Sequence, residues 1–171
     1  MNAGFVLRFK AFMIDYLFIL IYLVVLFLFN AVLFPSLQQF FAGSLVVAQF
    51  TGFLMVTLPV SLYFILSDSV IGGQSFGKRK MGIRVVNSKH GSVSVIKMIY
   101  RTALKFLPWE LSHFLVYRLV HIGDEAVPLH YYFVGGVIYL LILTYISTAI
   151  LTKEKKSLYD MISRTTVIRT G

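Results

Sequence analysis

The feature that most constrains this chain is an apolar run of about two dozen residues, Ala11 to Phe34, interrupted near its start by one carboxylate, Asp15. A helix of that length is long enough to cross a bilayer. A carboxylate inside it costs roughly 3 kcal/mol or more unless it meets a partner or a water-filled cavity, which makes Asp15 a candidate functional residue. Arg8 lies seven residues earlier, two helical turns away on the same face. That separation is about 10 Å along the axis, too long for a direct ion pair, so each charge must reach a third element. Ala11, between them, leaves room for another backbone or side chain to approach closely. Asp160 in the C-terminal segment is the natural partner for Arg8, and Asp15 could then meet Arg101 or a polar group on another span.

Two further runs, Leu45–Leu66 and Val127–Leu151, read as spans, and composition agrees: 58% of residues are hydrophobic and 16% aromatic. A fourth segment, Phe106–Val120, is short and carries Pro108, Glu110, His113 and Arg118. Charge decides how to count it. With four spans and both termini cytoplasmic, fifteen of the sixteen Lys and Arg lie inside and only Arg118 lies outside. Omitting the weak span would strand the five C-terminal basic residues on the wrong side. The same placement accounts for the net charge of +9 through topology and attraction to anionic lipid headgroups, with no call for nucleic acid.

The one sizeable polar segment, about Gly72 to Lys105, follows the second span. Ile83–Val86 and Val93–Val95 flank a turn-rich Asn87–Gly91, which reads as a β-hairpin. Lys97, Arg101 and Lys105 then recur every fourth residue, with apolar residues elsewhere round the helix. That pattern predicts an amphipathic helix in the cytoplasmic interface, ended by Pro108. The fold expected is therefore an all-α membrane protein: one domain, residues 1–171, of four transmembrane helices. A short cytoplasmic hairpin and amphipathic-helix insert would separate the second and third spans.

Gly72 to Lys78 fits most of a phosphate-binding G-x-x-x-x-G-K loop, but Arg79 stands where a Mg²⁺-binding hydroxyl is needed, and a span rather than a strand precedes it. A tight turn at the lipid surface explains the glycines better. Glu110 and His113 share a helix face at i, i+3 and form a second protonatable candidate. Glu-x-x-His is also a metal-ligand spacing, yet one copy without further ligands points to no metal. No serine sits in a nucleophile-elbow pattern and no H-E-x-x-H is present, so an enzyme is not expected, nor is a cofactor.

Three blocks resemble the RDD family of bacterial membrane proteins, named for an Arg and two Asp. The first is Arg8-x-x-Ala11-x-x-x-Asp15. The second is Gly73-Gln74-Ser75-Phe76-Gly77-Lys78 with Met81-Gly82-Ile83-Arg84-Val85-Val86, and Arg101 downstream. The third is Ser157-Leu158-Tyr159-Asp160-Met161-Ile162-Ser163-Arg164-Thr165. The resemblance makes Arg8, Asp15 and Asp160 the name-giving residues and implies transport of an ion or small solute. Asp15 would be the carrier carboxylate, Arg8 and Asp160 its electrostatic frame, and Glu110 with His113 a second proton site. The expected setting is the bacterial cytoplasmic membrane, with anionic lipid at the inner face and a homo-oligomer enclosing the pathway. The alternative is a non-transporting adaptor that binds another membrane protein.

Overall fold

The computed structural model describes residues 1–170, apart from the side chains of Leu37, Gln38 and Ala42. Helix α1, Phe5–Leu28, runs on through a π-helical turn, Phe29–Leu33. A short helix, α2 (Gln38–Ala42), leads into α3, Leu45–Gly52, which continues through a second π turn, Phe53–Thr57, into α4, Leu58–Asp68. After the small α5 (Phe76–Lys80) and strand β1 (Ile83–Asn87) comes α6, Val95–Ile122. The chain closes with α7 (Leu129–Leu151), α8 (Leu158–Ile162) and strand β2 (Thr165–Arg169).

Among the described residues three helical stretches are long and apolar enough to cross a membrane: Phe5–Leu33, Leu45–Asp68 and Leu129–Leu151. Each is offset from its expected run: the first begins six residues earlier, the second ends two later and the third begins two later. The fourth long helix, α6, does not meet that measure. It nevertheless runs antiparallel to α3–α4 along their whole length, with Phe106 against Phe64, Glu110 against Thr57 and Arg118 against Gln49.

Two expectations for the insert need correction. Ile83–Asn87 is a strand, but its antiparallel partner is Thr165–Arg169, with Val85 opposite Val167, and not Val93–Val95. Ser94 instead caps α6, its Oγ accepting from the Lys97 N–H at 3.4 Å. Nor does Pro108 separate an interfacial helix from a span: α6 is one helix of 28 residues, about 42 Å long.

Proline inside a helix leaves the carbonyl four residues earlier without its donor. Here that carbonyl is Leu104 O, and the Tyr145 hydroxyl of α7 donates to it at 2.7 Å. The same device recurs at Pro59, where the orphaned Met55 O, within the π turn, accepts from the Tyr22 hydroxyl of α1 at 2.5 Å. Such cross-helix donors allow both prolines to sit in long helices.

Both termini meet at one end of the bundle, here termed basal. Ala3 N donates to Val167 O and Arg169 N to Met1 O, so the N-terminal residues extend the two-stranded sheet. Beneath that sheet Ala3, Ala11, Ile65, Ile83, Val85, Val93, Met98 and Val167 form a buried apolar cluster. The polar site is built beside it.

Candidate functional site

Asp15 is fully buried, and three donors reach its carboxylate. The Tyr63 hydroxyl (2.7 Å) comes from α4, and the Ser75 hydroxyl (2.6 Å) and Gly77 N–H (2.7 Å) come from the turn into α5. Of the two partners considered for Asp15, the polar group on another span is therefore the one found, and Arg101 lies elsewhere. The approach of α5 depends on two small residues. A Cβ added to Gly77 would lie 2.0 Å from Ala11 O, so this position admits only glycine without movement of α1. Gly73 supplies the positive φ, 76°, of the preceding turn, and Gly82 (φ 58°) that of the turn into β1.

Arg8 and Arg101 converge on Asp160. Arg8 Nη1 donates to Oδ2 at 2.5 Å and Arg101 Nη2 to Oδ1 at 2.7 Å, tying α1, α6 and α8 together. The carboxylate also accepts from the Ser157 N–H at 3.3 Å. Burial by itself would raise the Asp160 pKa. The guanidiniums of Arg101 and Arg8 outweigh it and hold the carboxyl below the usual carboxylate range.

A second buried pair joins Lys78 to Asp68 at 2.6 Å, and Asp68 also accepts from the Ser75 N–H at 3.0 Å. Gln74 donates to Ile83 O at 3.0 Å, fastening the glycine-rich turn to β1. Asp68 was not expected. Its signal lay in rarity: it is one of seven acidic residues, ends a span and precedes Lys78 by ten positions. Lys105 was also missed as a site residue. Its ammonium lies 4.0 Å from the ring centre of Phe64, 5.0 Å from Phe106 and 5.3 Å from Phe12. A cavity of about 170 Å³ opens between these groups, lined by Arg8, Asp15, Lys78, Arg101 and Lys105 together with several aromatic rings.

Glu110 and His113 lie apart from this cluster, about halfway along α6. Thr57, at the end of the π turn, donates to Glu110 Oε2 at 2.8 Å, and His113 Nδ1 lies 3.9 Å from the same oxygen. Among the described residues no three His, Asp or Glu side chains converge as a metal site. Further along, Tyr117 packs its hydroxyl against Gly52, and Arg118 donates to Gln49 Oε1 at 2.8 Å. Polar groups thus recur along the α3–α4/α6 seam from Lys105 to Arg118, about 20 Å by helical rise.

These features define a class: a polytopic helical membrane-type protein whose basal end is locked by buried Arg–Asp and Lys–Asp pairs. The RDD family model matches residues 2–164, and the chain belongs to that family. Neither a curated protein nor a solved structure matches the chain.

Proposed function

We propose that this protein moves protons, coupled to an ion or small solute, across the bacterial cytoplasmic membrane. On this reading α6 is the fourth span, the basal end faces the cytoplasm and a homo-oligomer seals the pathway. The supporting observation is the polar seam between α3–α4 and α6, which covers about two thirds of the thickness of a hydrocarbon core. Ionisable groups are rare inside membranes and mark proton and ion paths where they occur in series. Glu110 and His113 are the mid-membrane carriers. Asp15, on the wall of the basal cavity, receives or releases the proton at its inner mouth.

Flux in liposomes tests this. Purified protein is reconstituted with a pH-sensitive dye, and Na⁺ and K⁺ gradients are imposed in turn on wild type, Glu110→Gln and Asp15→Asn. The expected result is a cation-dependent proton flux that Glu110→Gln lowers at least ten-fold while the protein remains folded. No flux from well-folded wild type under either gradient would overturn the reading.

One observation favours the second reading, a non-transporting adaptor. The three donors on Asp15 are what a structural pin requires, and a saturated carboxylate is a poor carrier. On that reading Asp15→Asn lowers stability and Glu110→Gln changes nothing measurable, while a membrane-protein partner docks on the basal sheet.

A further inference from the structure

The basal cluster has a charge left over. Arg8, Lys78, Arg101 and Lys105 line one cavity, against the carboxylates of Asp15, Asp68 and Asp160. Each carboxylate is already engaged, Asp15 by two hydroxyls and a backbone N–H, Asp68 by Lys78, and Asp160 by the two arginines. Lys105 has no hydrogen-bond or ion-pair partner among the described residues; only the rings of Phe12, Phe64 and Phe106 face its ammonium. Lys105 is half-buried and lines the cavity, and cation–π contact, about 0.5–2 kcal/mol, supplies its ammonium with no counter-charge.

A second unsatisfied group belongs to a residue that lines the same cavity. Arg8 Nη2 is buried and makes no hydrogen bond, although Nη1 and Nε of the same side chain are engaged by Asp160 and Ala3 O. A buried guanidinium donor without an acceptor implies one that the chain itself does not supply. The cavity holds far more than the roughly 10–15 Å³ that one water needs. Phe5 and Phe9 line its outer wall, and Phe9 is half exposed at the level where α1 begins. A group entering there would carry its charge to Lys105 and Arg8 and lie along aromatic rings.

We propose that this cavity binds a phosphate group of one net negative charge, with Lys105 Nζ and Arg8 Nη2 as its donors. One charge matches the surplus of four cations over three carboxylates, and a phosphodiester carries one. Arginine and lysine are the usual phosphate donors, Arg as a fork and Lys as a point charge. The group can come from the headgroup of an anionic phospholipid or from free phosphate. The site is independent of whether the protein transports.

Native mass spectrometry and thermal melting in detergent separate the sources. Phosphatidylglycerol, phosphatidylcholine and inorganic phosphate are titrated into wild type, Lys105→Gln and Arg84→Gln, the last an exposed basic control on β1. The expected result is one tightly held phosphatidylglycerol per chain, preferred at least ten-fold over phosphatidylcholine, lost in Lys105→Gln and kept in Arg84→Gln. Saturable inorganic phosphate binding with the same dependence on Lys105 would assign the site to the free ion. If neither probe binds, or Lys105→Gln binds as wild type does, the proposal fails. Should Lys105→Gln not fold, a phosphatidylglycerol with a photoreactive headgroup decides on wild type alone. Labelling within Phe5–Phe12 or around Lys105 supports the site, and labelling elsewhere overturns it.

Discussion

The basal end and the middle of the α6 seam are held in different ways. At the basal end Asp15, Asp68 and Asp160 are at most 2% exposed, and they accept three, two and four hydrogen bonds respectively. Halfway along, Glu110 and His113 keep about 30% of their side-chain surface, and Glu110 receives one hydroxyl. Saturated buried charges cost a great deal to disturb and have one low-energy arrangement. A sparsely bonded carboxylate can change partner with less loss. The contrast assigns rigidity to the end that bears the family motifs and freedom to the seam.

The largest effect expected from breaking this contrast is at Asp160. Asp160→Asn leaves Arg8 and Arg101 buried without a counter-charge, and should lower stability by about 3–5 kcal/mol in detergent melts. The pH dependence has a definite sign. The folded carboxyl titrates below the unfolded one, near 3.9, so its contribution is complete above that value and is lost as pH falls through the folded pKa. Wild type should therefore show an acid melting limb below about pH 4 that Asp160→Asn lacks. An unchanged limb in the variant would assign it to another group.

Gly77→Ala comes next. Its Cβ would collide with the backbone of Ala11 and crowd the Asp15 carboxylate at 2.9 Å, so α5 must retreat from α1. A loss of about 1–3 kcal/mol is expected. Gly136→Ala, with open space at its Cβ, serves as the control and should be neutral or better. Equal effects at the two glycines would mean that α5 does not pack as tightly as this geometry requires.

At the seam the order reverses, with small stability changes and large functional ones. Glutamine at 110 keeps an oxygen for the Thr57 hydroxyl, so Glu110→Gln should cost under about 1 kcal/mol. Proton flux is the quantity it should remove. A Glu110→Gln protein that melts several degrees lower would place this carboxylate with the basal set, as scaffolding.

The sequence made some of this legible and concealed the rest for physical reasons. Membrane energetics alone singles out Asp15, because a carboxylate in an apolar run must be answered somewhere. The Arg8–Asp160 relation is legible for the same reason, from two charges needing partners on one side of a bilayer. Strand pairing is not. Ile83–Val86 followed by a turn and Val93–Val95 is a sound local hairpin pattern, but the true partner, Thr165–Arg169, lies some eighty residues away and leaves no local trace. Pro108 misled similarly: a proline reads as a break unless the donor for its orphaned carbonyl is known, and that donor sits on α7. Asp68 and Lys105 were hidden because a charge at a span end is ordinarily solvated, and only packing reveals that Asp68 is buried and that Lys105 turns into the cavity.

That proline device supplies the smallest and most specific test. Tyr145→Phe keeps the ring, including its edge contact with Tyr159 at 5.2 Å, and removes only the hydroxyl that serves Leu104 O. In a membrane such bonds are worth about 0.6 kcal/mol on average. Pro108→Ala restores the helix's own N–H to the same carbonyl, so in that background the cost of Tyr145→Phe should fall towards zero. The cycle isolates one hydrogen bond because both changes act on one oxygen. Tyr22→Phe with Pro59→Ala should repeat the pattern at Met55 O, between α1 and the π turn before α4. Coupling at Pro108 without coupling at Pro59 would mean that the π turn before Pro59 has already rearranged to satisfy Met55. The α1–α4 seam would then be the more adaptable of the two.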